Sequence, residues 1–469
     1  MSVLRLAVPL ALLAVFLWNA MSSPLCLLGI PFMQLMGSSV FIERLRIFTI
    51  GASLGAQVPI MVWLVFIWIV CGAIRSRSGE RRRELLTRPA FRLLPEEALL
   101  LFVGVIACVH VLREFTLSGD MQSALGGALG FLSMIVGYFV VRDIVCSATR
   151  SEVVHFLGLV VIANTVAAAL FVLHQGLHVH VYGHVEYSTV VFHGTLITRS
   201  FWFAPQLSGL SLAYVLARRE WTGPWLTVLV ITALSVWVSY TRTLVLIVIV
   251  AVVAALLVRE TKRLDFARFL RRAIGIVAVG VAMLWVVLAA LPTESAFFGQ
   301  RVSELSSGLS GSGFADWNVR VNHFVSAEKA VARKDVLFGA GFPSPPSAEA
   351  DTVHRWSADM AWIAVVYNLG IAGVVLFGLI FVWSGARAYR LFVARSGAGE
   401  YLELVYLITL LATFLNTLIS WVFMQTDFYP MGLWFFAFMA AEALRQAPSD
   451  TATEWPLAAK AKHTRPLIP

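Results

Sequence analysis

The chain has 469 residues, of which 59% are apolar and 13% charged, and its mean hydropathy is +0.81. A soluble core of this size could not bury so much apolar surface, which excludes the soluble globular, disordered and fibrous classes. The apolar runs are about 16–25 residues long, whereas β-barrel strands would alternate over about 10 residues. The composition therefore predicts an all-α, polytopic integral membrane protein in a lipid bilayer.

The formal charge of +9 comes from Arg and Lys in the loops that flank the apolar runs. Membrane topology explains this placement without a polyanion, so no nucleic-acid partner is expected. The four cysteines show no paired spacing typical of disulfide frameworks or metal sites. We interpret them as small apolar residues.

The apolar runs predict about 12 transmembrane helices. In chain order they are residues 4–20, 56–74, 97–112, 122–141, 153–173, 201–217, 223–240, 243–258, 273–291, 361–385, 402–423 and 429–445. The first run resembles a signal peptide, but the many equally apolar runs after it favour a retained first span. The segment 24–50 is predicted to be re-entrant or interfacial, because prolines and glycines interrupt its apolar part, 24–42.

Every second loop is basic, and short basic loops stay in the cytoplasm. The basic loops carry Arg75 to Arg92, Arg142 and Arg150, Arg218 and Arg219, Arg259 to Arg272, and Arg387 to Arg395. The outer loops are then residues 113–121, 174–200, 240–243, 292–360 and 424–428. Both termini, including the tail 447–469, are expected in the cytoplasm. The long loop 292–360 separates transmembrane helices 1–9, in residues 1–291, from helices 10–12, in residues 361–446.

Two arginines stand at the outer membrane boundary. Arg242 lies in the short turn Ser239–Thr243 between two apolar helices, and Arg199 directly precedes an apolar run. An Arg near hydrocarbon needs a partner, and its planar fork fits phosphate or carboxylate oxygens. Two such forks can bind a diphosphate and stabilise a departing phosphate without a metal ion. The alternative for Arg242 is a snorkelling side chain that marks the helix end.

Three further candidates belong to the long outer loop. Arg320 is a possible third contact to a diphosphate, although a charged residue in a loop is more often only solvated. Asp359 directly precedes an apolar helix and is either an N-cap or a catalytic carboxylate. His354 is either an acid or base near neutral pH or an inert loop histidine.

Five histidines in the outer loop 174–200 resemble a metal site at first sight. They are His174, His178, His180, His184 and His193. Their spacing matches no standard zinc arrangement and the nearby carboxylate is the single Glu186, so no metal is expected. Gly339 and Gly341 predict a tight turn in the long loop. They complete no nucleotide-binding fingerprint, and no cofactor is expected.

Four short motifs follow one another in the second half of the chain. They are Arg199 with Pro205 and Gly209, the Ser-x-x-Arg-Thr turn Ser239–Thr243, Phe338-Gly339-Ala340-Gly341, and Asp359 before Gly370-Ile371-Ala372-Gly373. In order, spacing and membrane side they resemble the O-antigen ligase and O-antigen polymerase superfamily, over about residues 195–380. Members of that family are membrane glycosyltransferases that use undecaprenyl-diphosphate-linked glycans at the periplasmic face.

The resemblance implies a glycosyltransferase of the bacterial inner membrane, active at the periplasmic face in surface polysaccharide biosynthesis. Its donor would be an undecaprenyl-diphosphate-linked glycan, and its acceptor a glycan or lipid A-core. Arg199, Arg242 and Arg320 would bind the diphosphate. Asp359, with His354 as second candidate, would activate the acceptor hydroxyl. A single displacement without a metal ion would invert the anomeric carbon.

One departure from the family separates its two branches. Its ligases usually carry His-Asn eleven residues before the first glycine of the Gly-x-x-Gly motif, where this chain has Asp359-Met360. A polymerase is therefore slightly favoured over a ligase that attaches glycan to lipid A-core. A rival class is a transporter or flippase of lipid-linked or anionic solutes. The polar residues lie mainly at one face of nearly uninterrupted apolar spans, which favours the enzyme.

Overall fold

A computed structural model describes residues 2–36, 57–77, 93–173, 179, 187–192, 195–200, 205–218, 223–238, 315–332, 334–342, 361–394, 400–419 and 431–446. The α-helices are α1 (Ser2–Ala20), α2 (Gly29–Met36), α3 (Gln57–Arg77), α4 (Pro95–Ser118), α5 (Met121–Cys146), α6 (Arg150–Phe171), α7 (Pro205–Ala217), α8 (Gly223–Val238), α9 (Ala315–Ala332), α10 (Ala361–Ala394), α11 (Glu400–Ile419) and α12 (Met431–Gln446). A 3-10 helix, Pro24–Leu28, precedes α2. Strands β1 (Tyr187–Phe192) and β2 (Thr195–Ser200) form an antiparallel hairpin.

Three of the described helices are long and apolar enough to cross a membrane. They are Pro95–Ser118 in α4, Arg150–Phe171 in α6 and Trp362–Val393 in α10. The 24 residues of α4 span about 36 Å, more than the hydrocarbon core of about 30 Å. These helices indicate a membrane protein, as the composition predicts. The predicted spans 243–258 and 273–291 lie outside the described residues.

Local sequence explains where the long helices begin and end. Pro95 occupies the first position of α4, and the Glu97 carboxylate accepts a 2.9 Å hydrogen bond from the Leu94 N–H. Gly119, at φ +71°, ends the same helix. At the start of α6, Thr149 and Glu152 form a capping box.

Most of the described helices pack around a large apolar core. Helix α4 lies against α5 and α10, α5 against α3 and α12, and α11 against α7 and α10. The short α2 packs on α6, where the Phe32 ring meets Phe156 edge-on at 5.5 Å. Phe156 in turn stacks on Phe438 of α12 at 5.8 Å. Aromatic side chains therefore connect the N-terminal helices to the last one.

Buried ion pairs join the ends of several helices and are called the ion-pair layer. Its members are Glu96 and Glu97 of α4, Arg142 of α5, Arg150 of α6, Arg387 of α10, Glu403 of α11, and Glu442 and Arg445 of α12. Helices α4, α6 and α11 begin here, whereas α5, α10 and α12 end here. These six helix ends therefore lie together on one side of the described helices.

The arginines of the layer are held charged by their partners. Burial disfavours the Arg142 guanidinium, but the hydrogen bond to Glu97 at 2.6 Å and its charge outweigh burial and raise the pKa of Arg142. Arg150 binds Glu403 through two hydrogen bonds of 2.6 and 2.8 Å. The Arg150 guanidinium also donates a 2.9 Å hydrogen bond to Glu442. Removing one partner would leave a buried charge uncompensated.

Two segments that the sequence analysis treats as loops have regular structure. Residues 187–200 contain the β1–β2 hairpin, so the predicted all-α class gains one small β element. Residues 315–332, in the predicted loop 292–360, form α9. This helix is stabilised by packing on α10, because Val331 and Tyr367 form a buried apolar cluster. Tertiary contact thus overrides a polar local sequence.

Candidate functional site

A glycine-rich loop follows α9 and is called the Gly segment, residues 334–342. Gly339 and Gly341 have φ values of +85° and +89°, a conformation that L side chains rarely adopt. Asp335 stabilises the turn, because its Oδ1 accepts 3.0 Å hydrogen bonds from the N–H groups two and three residues later. The tight turn that the two glycines predict is therefore present.

The Gly segment is bonded to a break in α10. Gly370 has φ +62° and ψ −157°, which interrupts the helix and frees backbone groups on both sides. Three hydrogen bonds use these groups: Ile371 N–H to Val336 O at 3.1 Å, Ala372 N–H to Leu337 O at 2.9 Å, and Ala340 N–H to Tyr367 O at 2.7 Å. The loop thus satisfies backbone groups that would otherwise be costly in an apolar environment.

The two backbones approach too closely for any side chain to fit between them. A Cβ atom on Gly339 would lie 2.5 Å from the Gly370 nitrogen, and a Cβ on Gly370 would lie 2.5 Å from the Leu337 carbonyl oxygen. Favourable contacts of carbon lie at about 3.5–4.0 Å. Glycine is therefore required at both positions, and the contact brings two of the four sequence motifs together.

A histidine of α4 holds the Gly segment from the opposite side. His110 Nε2 lies 2.7 Å from the Phe338 carbonyl oxygen, and it donates the hydrogen bond because a carbonyl can only accept. The residue is 7% exposed. A Cβ atom on Gly341 would lie 3.2 Å from His110 Nδ1, so this glycine also allows the close approach of the ring.

Apolar contacts complete the junction between the Gly segment and the helices. The Phe342 ring lies 5.3 Å from Phe131 of α5 and 6.4 Å from the His110 ring, which it meets edge-on. Ala340 packs beside the cluster of Val331 and Tyr367. The segment therefore touches α4, α5, α9 and α10 together.

Two of the predicted diphosphate-binding residues have a described backbone position. Arg199 lies on β2 opposite Ser188, shortly before α7 begins. Arg320 lies on α9 rather than in a loop.

The other predicted site residues are not part of this description. Arg242, His354 and Asp359 lie outside the described residues, as do the five histidines of loop 174–200. Among the residues that the structure describes, no three His, Cys, Asp or Glu side chains are placed to hold a metal ion. Asp359 stands two positions before Ala361, where α10 begins.

Sequence patterns do not reveal His110, although its side chain binds the Gly segment. A lone histidine in an apolar helix has no partner at helical spacing and carries no motif. The glycines, in contrast, occur in two of the four motifs, although nothing in their spacing reveals that they touch.

No protein-family model matches this sequence. No curated protein matches it at a significant level either. The resemblance to the O-antigen ligase and polymerase superfamily rests on the four motifs and their arrangement.

Proposed function

We propose that the protein is a membrane glycosyltransferase of the O-antigen ligase and polymerase type. It transfers or polymerises oligosaccharide from undecaprenyl diphosphate at the periplasmic face of the inner membrane, in surface polysaccharide biosynthesis. Polymerisation is slightly favoured, because Asp359 stands where family ligases carry histidine. The alternative within the class is a ligase that attaches glycan to lipid A-core.

The contact between the Gly segment and the break in α10 carries the proposal. Gly339 and Gly370 belong to different motifs, separated by the residues that include His354 and Asp359. The segments that carry them nevertheless meet, because the Gly segment and α10 share three backbone hydrogen bonds of 2.7–3.1 Å between neighbouring residues. The two motifs therefore belong to one junction, and Asp359 stands two positions before the helix that carries the second of them. A resemblance based on unrelated short motifs would not require such a contact.

The position of the junction supports an active site on the outer face. Along α10, Gly370 and Arg387 of the ion-pair layer are separated by about 25 Å at 1.5 Å per residue. Along α4, Glu96 and His110 are separated by about 21 Å. The junction thus lies most of a bilayer thickness from the ion-pair layer, which contains three of the predicted cytoplasmic arginines, Arg142, Arg150 and Arg387.

The proposed reaction is a single displacement at the anomeric carbon of the donor. Asp359 accepts the proton of the acceptor hydroxyl as its oxygen attacks that carbon. The bond from the anomeric carbon to the diphosphate oxygen breaks, and the electron pair leaves with undecaprenyl diphosphate. Arg199, Arg242 and Arg320 stabilise the negative charge on the leaving group. The product has the inverted configuration.

A transporter or flippase is the second candidate, because broken membrane helices are typical of transporters. In that class the freed backbone groups at the break bind the substrate or its coupling ion. Here the freed groups of Ile371, Ala372 and Tyr367 are bonded to the Gly segment. The buried charges of the ion-pair layer lie near helix ends rather than mid-membrane. Both observations favour the enzyme.

One reconstitution separates these functions. Purified protein is incubated with undecaprenyl-diphosphate-linked oligosaccharide, with and without lipid A-core, and the products are separated by size. A polymerase yields a ladder without lipid A-core, whereas a ligase yields product only when it is present. Transfer should persist in EDTA. Absence of transfer in both arms, together with movement of the donor across proteoliposome membranes, would overturn the enzyme and support a flippase.

A further inference from the structure

We infer that His110 is a positioning residue of the proposed active site, which it serves by fastening the Gly segment to α4. The inference rests on the proposed function. It concerns a residue of a membrane helix that is distant in the sequence from the predicted arginines and from Asp359.

The Gly segment lies between the two predicted functional parts of the long loop. Arg320 precedes it on α9, and Asp359 follows it before α10. Its three backbone hydrogen bonds tie it to α10, so they move with that helix and do not set its position against α4. The bond from His110 to the Phe338 carbonyl oxygen connects the segment to α4. His110 therefore holds the Gly segment, and through it the break in α10, against α4.

The surroundings of the ring favour positioning over acid–base catalysis. Nε2 is occupied by the Phe338 carbonyl, Nδ1 faces the Gly341 backbone, and the Phe342 ring covers an edge. The charged groups whose fields reach it are Arg113 on its own helix and Asp335 in the Gly segment. Both the neutral Nε2–H tautomer and the imidazolium donate to a carbonyl. The hydrogen bond therefore persists when His110 is protonated. The pH dependence of the transfer rate should then show no contribution from the titration of His110.

The expected effect of losing the bond falls on the chemical step. A displacement of about 1 Å at a reacting group can cost about a hundredfold in rate. His110→Leu should therefore lower kcat by about 10–100-fold. The KM for the donor should change little, because His110 is not one of the residues proposed to bind the diphosphate. His110→Gln places an amide N–H near Nε2 and should restore most of kcat.

The test uses the purified full-length protein and its His110→Leu and His110→Gln variants. His155→Leu is the matched control, because His155 is exposed and bonds Asn19 away from the junction. One measurement is the kcat and KM of oligosaccharide transfer as a function of pH. The other is amide hydrogen exchange of residues 334–342, which needs no activity. Exchange in His110→Leu should rise about tenfold, the effect expected from one net hydrogen bond.

Each outcome decides the inference. Wild-type exchange and kcat in His110→Leu would overturn it. So would a His110→Gln variant as inactive as His110→Leu, since that would assign His110 a proton-transfer role. If His110→Leu does not fold, His110→Asn replaces it, because the shorter amide cannot reach the carbonyl. If the wild-type protein transfers no glycan, the proposed function fails, whereas hydrogen exchange still decides whether His110 holds the segment.

Discussion

Replacing Gly370 by alanine should separate the Gly segment from α10. At φ +62° and ψ −157° a residue with a side chain is strained by about 1–3 kcal/mol. Its Cβ would also lie 2.5 Å from the Leu337 carbonyl oxygen and 2.6 Å from the Gly339 nitrogen, so the loop must move away. Each backbone hydrogen bond lost then costs about 0.5–1.5 kcal/mol.

The same helix provides the control. Gly378 lies further along α10, and a Cβ atom there would meet nothing within 4 Å. Alanine at that position should be neutral or stabilise the helix by about 0.5–1 kcal/mol. With all three bonds broken, Gly370→Ala should destabilise the junction by about 3–7 kcal/mol. The comparison therefore isolates the backbone contact from the general effect of a glycine-to-alanine change.

Thermal unfolding of the two purified variants in detergent measures the difference, and limited proteolysis of the Gly segment locates it. Gly370→Ala should unfold several degrees below wild type and be cleaved near Lys334, an exposed residue at the start of the segment. Gly378→Ala should behave as wild type in both assays. Equal stability and equal cleavage of the two variants would refute the account of the junction.

Three further predictions concern the proposed chemistry and topology. Arg242→Lys keeps the charge but loses the planar fork, so a bidentate diphosphate ligand should lose most transfer activity while a snorkelling arginine would tolerate the change. Asp359→Asn still caps a helix but cannot accept a proton, so transfer should fall about 10²–10⁴-fold, and near-normal transfer would remove Asp359 as the base. Ser310→Cys should react with an impermeant thiol reagent in spheroplasts and Ser78→Cys should not; the reverse labelling would overturn the outer-face assignment.

The helices are the most predictable part of this fold. Long apolar runs in a bilayer can only close their backbone hydrogen bonds as helices, so every predicted span within the described residues coincides with a helix. Boundaries follow from residues such as Pro95 and Gly119, which act locally. The hairpin could also have been predicted from the sequence. Its strands, Tyr187–Phe192 and Thr195–Ser200, are rich in β-branched residues and are separated by His193-Gly194. A loop label based only on polarity misses it.

The junction could be predicted only in part. Two glycines at φ values of +85° and +89° belong to a turn that the sequence indicates. The contact between Gly339 and Gly370 depends instead on how α9 and α10 pack, which no local pattern contains. His110 is the extreme case, because the group that it binds by a hydrogen bond is a backbone carbonyl more than 200 positions away in the chain. Every residue has a backbone carbonyl, so a hydrogen bond to one does not show in the amino-acid sequence.

Two contacts, one near each end of the stretch over which α4 and α10 pack, hold these helices against each other. At one end Arg387 binds Glu96, with one hydrogen bond of 2.9 Å from Nη2. At the other, the Gly segment bridges His110 and the break at Gly370. One contact alone would let two apolar helices slide or rotate against each other, because lipid-exposed surfaces offer little resistance. Two contacts about 20–25 Å apart prevent both motions, so the part of α10 between the break at Gly370 and Arg387 is held against α4 at both of its ends.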